Sequence, residues 1–127
     1  MLDRSALIGF VGVSDLDLAR RFYGDTLGLP ITDESPFALI ADANGTMLRL
    51  TAVEQPIAAP YTVLGWNVVD IGSMIDQLTA QGVQFTRYDG MGQDERGVWT
   101  APGGAKIAWF LDPDGNNLSL TEFKASA

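Results

Sequence analysis

Three side chains combine a charge or a large aromatic ring with a position on, or close to, a predicted strand. Arg49 lies in one apolar strand, Trp109 lies in another, and Trp99 lies in a polar, glycine-rich segment. An arginine in a partly enclosed site binds carboxylate, phosphate or carbonyl groups, and tryptophan rings stack on planar ligands. Two alternatives stay open, because Arg49 could form an internal ion pair and the tryptophans could pack in the core or between subunits. These residue types indicate binding of a small organic molecule.

Other kinds of site are disfavoured by residues that the sequence lacks. It has no cysteine and no histidine, which removes thiolate ligands, a cysteine nucleophile, and the commonest metal ligand and general base at neutral pH. Residues 112–117 superficially resemble a calcium loop, but the glycine is misplaced and no glutamate closes the loop. We interpret this stretch as a hairpin turn. No phosphate-binding glycine loop has the required spacing either, so no nucleotide cofactor is expected.

Length and charge narrow the class of protein further. The 127 residues suit one compact domain, and 46% apolar residues are enough to form its core. The net charge of −8 repels phosphate backbones and anionic lipids, so nucleic acid and membrane surfaces are not expected as partners. No apolar run reaches the roughly 18 residues of a membrane span, and the first residues do not form a secretory signal. We therefore expect a cytoplasmic protein.

The first half of the chain predicts a strand, a helix and three further strands. Ser14 is the expected N-cap of the helix, and Gly28 is placed to end it. The Asn44-Gly45 pair predicts a tight hairpin because both residues tolerate positive φ. The predicted strands are residues 7–13, 29–32, 37–41 and 47–52.

A linker at residues 54–61, which contains two prolines, precedes a second copy of this pattern. Asp70 is the predicted cap of the second helix, and that helix ends around Gly82. An insertion at residues 89–105 carries a few apolar side chains and is expected to cover a cavity. The predicted strands of this half are residues 63–69, 83–88, 106–111 and 117–123. One α+β domain made of two β-α-β-β-β modules, about 1–53 and 61–127, is the predicted organisation.

Three stretches of the sequence resemble the glyoxalase, bleomycin-resistance protein and extradiol dioxygenase superfamily, also called the vicinal oxygen chelate fold. They are residues 13–17 (VSDLD), 21–29 (RFYGDTLGL) and 111–120 (LDPDGNNLSL). The resemblance covers essentially the whole chain. It implies two modules with curved mixed sheets that enclose a cleft, and a homodimer with this cleft within or beside its interface.

Metal-dependent members of that family hold a divalent ion with four side chains, usually His, Gln or Glu. The resemblance puts these positions at Ile8, Arg49, Val63 and Ser119. Two aliphatic groups, a cation and a hydroxyl do not suit a divalent ion, which needs anionic or neutral lone-pair donors. A shift by one residue brings in Gly9, Leu50, Leu64 or Leu120, and none of them is a metal ligand. No metal site of the family type and no cofactor are therefore expected.

Alternation along the strands assigns one set of side chains to the cleft. The set is mainly apolar and comprises Ile8, Phe10, Gly12, Met47, Arg49, Thr51, Val63, Gly65, Asn67, Ile107, Trp109, Asn117, Ser119 and Thr121. The predicted ligand-binding residues are Arg49, Trp109, Trp99, Phe10, Asn67 and Ser119. Trp66 is expected on the opposite face, against a helix.

The favoured hypothesis is a metal-free protein that binds a small organic molecule in an aromatic and apolar cleft. The acidic chain suits a cationic ligand, and Arg49 suits an anionic group within it. One alternative is a metal-free enzyme with Arg49 as electrophile and a proton-transfer group among Tyr61, Tyr88, Asp94 and Glu95. Another is a glyoxalase- or dioxygenase-like enzyme, a lyase or oxidoreductase, with or without an unrecognised metal site. An interaction module without a ligand is the remaining alternative.

Overall fold

A computed structural model of the chain describes residues 1–125. The chain divides into two compact units, Met1–Ile57 and Ala58–Ala127. Each unit contains one four-stranded mixed sheet. Few helices accompany these sheets, which confirms the predicted α+β class.

The first unit has the strand order β1-β4-β3-β2, in which β1 is parallel to β4 and the other neighbours are antiparallel. Its strands are β1 (Ile8–Val13), β2 (Ile31–Glu34), β3 (Ala38–Ala43) and β4 (Thr46–Ala52). A 3-10 turn (Leu2–Arg4) precedes β1, and helix α1 (Leu16–Ala19) continues into a π-helical segment (Arg20–Thr26). The predicted hairpin joins β3 to β4 through Asn44 and Gly45, whose φ angles are 51° and 93°.

Helix α1 is capped by Asp15 rather than by the predicted Ser14. The carboxylate of Asp15 accepts hydrogen bonds from the backbone N–H groups of Asp17 and Leu18, at 2.9 and 3.2 Å. A carboxylate at this position also interacts favourably with the positive end of the helix dipole, which a hydroxyl does not. Gly28 lies just beyond the helical segment with a φ of 78°, as its predicted role at the helix end requires.

The second unit repeats the arrangement with the strand order β5-β8-β7-β6. Its elements are β5 (Thr62–Asn67), α2 (Ile71–Ala80), β6 (Trp99–Thr100), β7 (Lys106–Leu111) and β8 (Asn117–Glu122). Asp70 caps α2 as predicted, because its carboxylate accepts a hydrogen bond from the backbone N–H of Ser73 at 3.0 Å. The stretch that resembles a calcium loop forms a turn instead, in which the Asp112 carboxylate accepts from the backbone N–H groups of Asp114 and Asn116.

The predicted strand at residues 83–88 is wrong. Only an isolated bridge between Phe85 and Phe110 forms there. The sheet edge is the short strand β6, which lies inside the predicted insertion at residues 89–105. The side chain of Gln93 explains the difference. Its amide donates to the carbonyl of Thr86 at 2.9 Å and accepts from the backbone N–H of Tyr88 at 2.6 Å. These backbone groups are thus satisfied without a strand partner.

In each unit one sheet face is buried and the other is open. The buried positions of β1 and β4 include Val11, Val13, Leu48 and Leu50, and those of β7 and β8 include Ala108, Phe110, Leu118 and Leu120. Helix α2 contributes Ile71, Ile75 and Leu78 to the core of its unit. Trp66 stacks on Phe110 with the ring centroids 6.5 Å apart, which confirms its predicted place on the buried face. Within residues 1–125, no helix is long and apolar enough to cross a membrane.

Candidate functional site

The open face of the first sheet brings Arg49 and Phe10 together. They are direct partners across the parallel strands β1 and β4, and Ile40 of β3 is the partner of Arg49 on its other side. Phe10 is 66% exposed and Arg49 is half-buried. The guanidinium group thus belongs to a row in which both neighbouring side chains are apolar.

Arg49 forms no ion pair and no side-chain hydrogen bond with any of residues 1–125. Two acidic residues lie near it in the sheet register, Asp33 opposite Ile40 and Asp42 opposite Met47. Instead, each carboxylate accepts a hydrogen bond from a nearby backbone N–H, at 2.9 Å for Asp33 and 2.7 Å for Asp42. The internal ion pair that the sequence left open for Arg49 is therefore absent from the described residues, and its donors are available to a ligand.

The open face of the second sheet carries the other four predicted residues. Ser119 of β8 lies between Gly65 of β5 and Trp109 of β7 in one row of the sheet. The next row contains Asn67, Thr121 and Ile107, and Trp99 of β6 is the partner of Ile107. The strand register therefore places Trp99, Trp109, Asn67 and Ser119 on one face.

Three half-buried rings on this face form an aromatic group: Tyr88, Trp99 and Trp109. The Trp109 ring lies 6.2 Å from that of Trp99, tilted by 34°, and 5.5 Å from that of Tyr88, at 90° between planes. The indole Nε1–H of Trp109 donates to the hydroxyl of Thr62 at 3.1 Å. Contacts to two rings and one hydroxyl restrict the Trp109 side chain to one orientation, which suits a stacking surface.

Asn117 links the aromatic group to the end of β8. Its side-chain Nδ2 donates to the Tyr88 hydroxyl at 3.1 Å. The amide carbonyl oxygen, Oδ1, is buried and has no hydrogen-bond partner within residues 1–125, and the residue as a whole is only 8% exposed. Buried polar atoms without partners are rare in folded proteins, so this acceptor marks an unusual site.

Ser119 is also buried, at 6% exposure, and its hydroxyl lies against Gly65. A Cβ atom added to Gly65 would lie 2.9 Å from the Ser119 Oγ. Any larger residue at position 65 would therefore force the Ser119 hydroxyl to move. This pair lies directly beside Trp109 in the sheet.

Thr62, Tyr88 and Asn117 complete the site although none of them was among the predicted binding residues. Asn117 had the right alternation, but Tyr88 was assigned to a strand that does not form. A β-bulge between Thr62 and Leu64 shifts the register, so that Thr62 rather than Val63 is the partner of Asn117. Bulges of this kind change which side chain a simple count along a strand would select.

The charged cluster at Asp94, Glu95 and Arg96 lies beside helix α2, not among the aromatic group. Arg96 forms an ion pair with Asp76 and donates to the carbonyl of Gly72 at 2.7 Å. The Asp94 carboxylate accepts from the backbone N–H groups of Arg96 and Val98, both at 2.9 Å. A hollow of about 420 Å³ between α2 and this segment is lined by none of the six predicted ligand-binding residues, although Glu95, a candidate proton-transfer group, lines it. The contacts of Arg96 thus hold the insertion against helix α2 of the same unit.

The four positions that the resemblance assigned to a metal do not fit a divalent ion. Ile8 and Arg49 belong to the first unit, and Val63 and Ser119 to the second. They offer two aliphatic groups, a cation and one buried hydroxyl. Across residues 1–125, no three acidic side chains come together in a way that could hold a metal ion. This donor set lacks the anionic and lone-pair ligands that such an ion requires.

Comparisons with known proteins agree with this fold. A sequence model described as the Glyoxalase/Bleomycin resistance protein/Dioxygenase superfamily matches residues 6–120. No curated protein sequence matches the chain significantly.

Several solved structures are similar over nearly their full length. An antibiotic binding protein from Streptomyces sp. CB03234 shares 24% identity at a TM-score of 0.73, covering 98% of this chain and 99% of its own. A bleomycin resistance determinant encoded on the transposon Tn5 shares 19% identity at a TM-score of 0.72, covering 95% and 99%. A lactoylglutathione lyase from Agrobacterium tumefaciens shares 18% identity at a TM-score of 0.71, covering 94% and 95%. At these identities the similarity shows the fold, which hosts both binding proteins and a lyase.

Proposed function

Because this chain belongs to the Glyoxalase/Bleomycin resistance protein/Dioxygenase superfamily, we propose that it is a metal-free binding protein for a small planar organic molecule. The observation that carries this proposal is the aromatic group, Tyr88, Trp99 and Trp109, on the open face of the second sheet. The names of the antibiotic binding protein and the bleomycin resistance determinant support a binding role on this fold.

The aromatic group suits a planar ligand for reasons of area and rigidity. Tryptophan and tyrosine rings supply large apolar contact surfaces at a low entropic cost, since few torsion angles must be fixed. The Tyr88 and Trp109 rings meet at 90° between their planes, in an edge-to-face contact that supports the indole. Polar groups beside the rings, including Ser119 and Asn67, can fix the orientation of a ligand, as is typical of small-molecule sites.

The enzyme alternatives have less support. Metal-dependent chemistry of the glyoxalase or dioxygenase type lacks a fitting set of donors at the four expected positions. For metal-free acid–base chemistry, the Tyr88 hydroxyl contacts the Asn117 amide and not a carboxylate. One carboxylate oxygen of Asp94 already accepts two backbone hydrogen bonds. Neither residue is thus part of the acid–base pair that such a reaction needs.

Two measurements on the untagged protein test the proposal. After incubation with iron, nickel, zinc and manganese salts and desalting, elemental analysis is expected to find almost no bound metal. Titration with 9-fluorenone, a planar aromatic ketone, followed by calorimetry and by tryptophan fluorescence, is expected to show saturable binding of one molecule per chain. Stoichiometric metal would overturn the metal-free part of the proposal, and absence of saturable binding would overturn the planar-ligand part.

Arg49 is proposed to bind an anionic group in the first unit, beside the exposed ring of Phe10. The variant Arg49→Ala is expected to weaken binding of 1-naphthoate, an aromatic carboxylate, by about tenfold, because a charge-assisted hydrogen bond is lost. Its melting temperature is expected to stay within about 2 °C of the wild type, since Arg49 has no partner within residues 1–125 whose loss would matter.

The control for this experiment is Arg21→Ala, which removes the same charge from an exposed position of the same unit. This variant is expected to bind 1-naphthoate as the wild type does. Equal weakening by both substitutions would show that only the net charge matters. A large loss of thermal stability in Arg49→Ala alone would show instead that the residue has a structural ion pair.

The homodimer and the cytoplasmic location expected from the sequence stay predictions within this proposal. The contacts assigned to Phe10, Asn67 and Ser119 are predictions of the same kind. Light scattering coupled to size-exclusion chromatography measures the assembly directly, through its mass.

A further inference from the structure

We infer that the aromatic group of the second unit selects planar molecules that carry a hydrogen-bond acceptor at their edge, such as an aryl ketone. This inference rests on the proposed function and specifies the ligand class of that site. It follows from the directions of two hydrogen bonds, one at the Thr62 hydroxyl and one at the Tyr88 hydroxyl. Each hydroxyl oxygen accepts a hydrogen bond from a protein N–H group, so each hydroxyl proton points away from that donor.

The first of these directions is set by the indole of Trp109. An indole N–H can only donate, so the Thr62 oxygen, 3.1 Å away, must accept. Thr62 is exposed, and its hydroxyl donates to none of residues 1–125. Its proton is therefore available at the nitrogen edge of the Trp109 ring.

The second direction is set by the Asn117 amide. Nδ2 donates to the Tyr88 oxygen at 3.1 Å, and the buried acceptor Oδ1 has no partner within residues 1–125. The phenol oxygen of Tyr88 therefore accepts, and its own proton points away from Asn117.

Asn117 thereby acts as a positioning residue for Tyr88. Its Oδ1 is enclosed by the protein, so this atom does not contact the ligand. An unpaired buried acceptor is unfavourable for folding, and its presence is consistent with an amide orientation that serves binding. The half-buried Tyr88 ring carries the hydroxyl to the neighbourhood of Trp109, where the two ring centroids are 5.5 Å apart. A ligand stacked on Trp109 would thus meet hydroxyl donors from Tyr88 and Thr62.

The test compares three tricyclic probes of nearly identical shape, measured by calorimetry with the full chain. 9-Fluorenone carries a carbonyl acceptor, fluorene has a methylene group at that position, and carbazole has an N–H donor. The wild type is expected to bind 9-fluorenone at least about fivefold more tightly than either of the others, which corresponds to one hydrogen bond. Equal affinities for 9-fluorenone and fluorene would overturn the inference while leaving the proposed function intact. Absence of binding by all three would overturn both.

Variants that lack the Tyr88 or the Thr62 hydroxyl test whether these groups cause the preference for 9-fluorenone over fluorene. Tyr88→Phe and Thr62→Val each keep the shape of the side chain, and each is expected to lower the ratio of 9-fluorenone affinity to fluorene affinity. Thr62→Ser keeps the hydroxyl and is the matched control, expected to retain the preference. A preference that survives both Tyr88→Phe and Thr62→Val would overturn the inference.

Asn117→Asp tests the positioning role. The carboxylate cannot donate, so Tyr88 is expected to turn its proton towards residue 117, and its share of the ketone preference is lost while fluorene still binds. A merely structural role for Asn117 would weaken binding of both probes by the same factor, and that result would overturn the positioning role. Circular dichroism establishes that this variant is folded, and Tyr88→Phe tests the same hydroxyl without altering a buried residue.

Discussion

Replacing Trp109 with alanine is expected to weaken the binding of both 9-fluorenone and fluorene by at least about thirtyfold. Trp109 lies between Trp99 and Tyr88 in the aromatic group, with ring centroids 6.2 and 5.5 Å from theirs. A central aromatic side chain that is surrounded by other contacts typically contributes 2 kcal/mol or more to binding, and about 2 kcal/mol corresponds to that factor. Calorimetry with each probe measures the change.

The variant Trp109→Phe is the control, because it keeps an aromatic face but loses the indole N–H that donates to Thr62. It is expected to retain most of the affinity for fluorene. Trp109→Ala is expected to remain folded, since the side chain is half-buried on an open sheet face. Affinities of the alanine variant within twofold of the wild type would contradict the proposed site, because the central ring of the aromatic group would then contribute almost nothing to binding.

Replacing Phe110, the next residue, with alanine is expected to reduce the free energy of unfolding by about 3–5 kcal/mol. Phe110 is 0% exposed and lies on the opposite, buried face of β7. Its ring contacts Phe85 at 5.5 Å and stacks on Trp66 at 6.5 Å between centroids. The alanine would leave a cavity beside Phe85 and Trp66, and equilibrium unfolding in urea measures the loss of free energy.

Leu111→Ala is the matched control for this prediction. Leu111 follows Phe110 in the same strand but is 49% exposed. Its truncation removes less buried apolar surface, so the expected loss is below about 1 kcal/mol. If both variants lost the same free energy, the assignment of the two faces of β7 would be incorrect.

Much of the fold follows from short-range patterns that the sequence displays directly. The Asn44-Gly45 hairpin forms because both residues adopt positive φ, and Asp70 caps its helix because its carboxylate reaches the free N–H of Ser73. The alternation of β7 correctly separates Trp109 from Phe110. Each of these features depends on residues within a few positions of one another, which is why one sequence is enough to predict them.

The remaining features depend on side chains that meet across a longer stretch of chain or compete with the backbone. The segment at residues 83–88 has the composition of a strand, but the Gln93 amide takes two of its backbone hydrogen bonds. The sequence contains 16 acidic residues that could form an ion pair with Arg49. Only the three-dimensional positions of their carboxylates show that none within residues 1–125 does so.

In the first unit, the first strand, β1, pairs in parallel with the last strand, β4, and this pairing affects how the unit folds during synthesis. Strand β1 ends at Val13, and its partner β4 begins only at Thr46. During translation β1 therefore has no strand partner until the hairpin of β3 and β4 has left the ribosome. Pairing β1 with β4 closes the loop between Val13 and Thr46, and this closure is the slow entropic step. Every partner in the first sheet lies within Met1–Ile57. That sheet can form on the nascent chain before any part of the second sheet has left the ribosome.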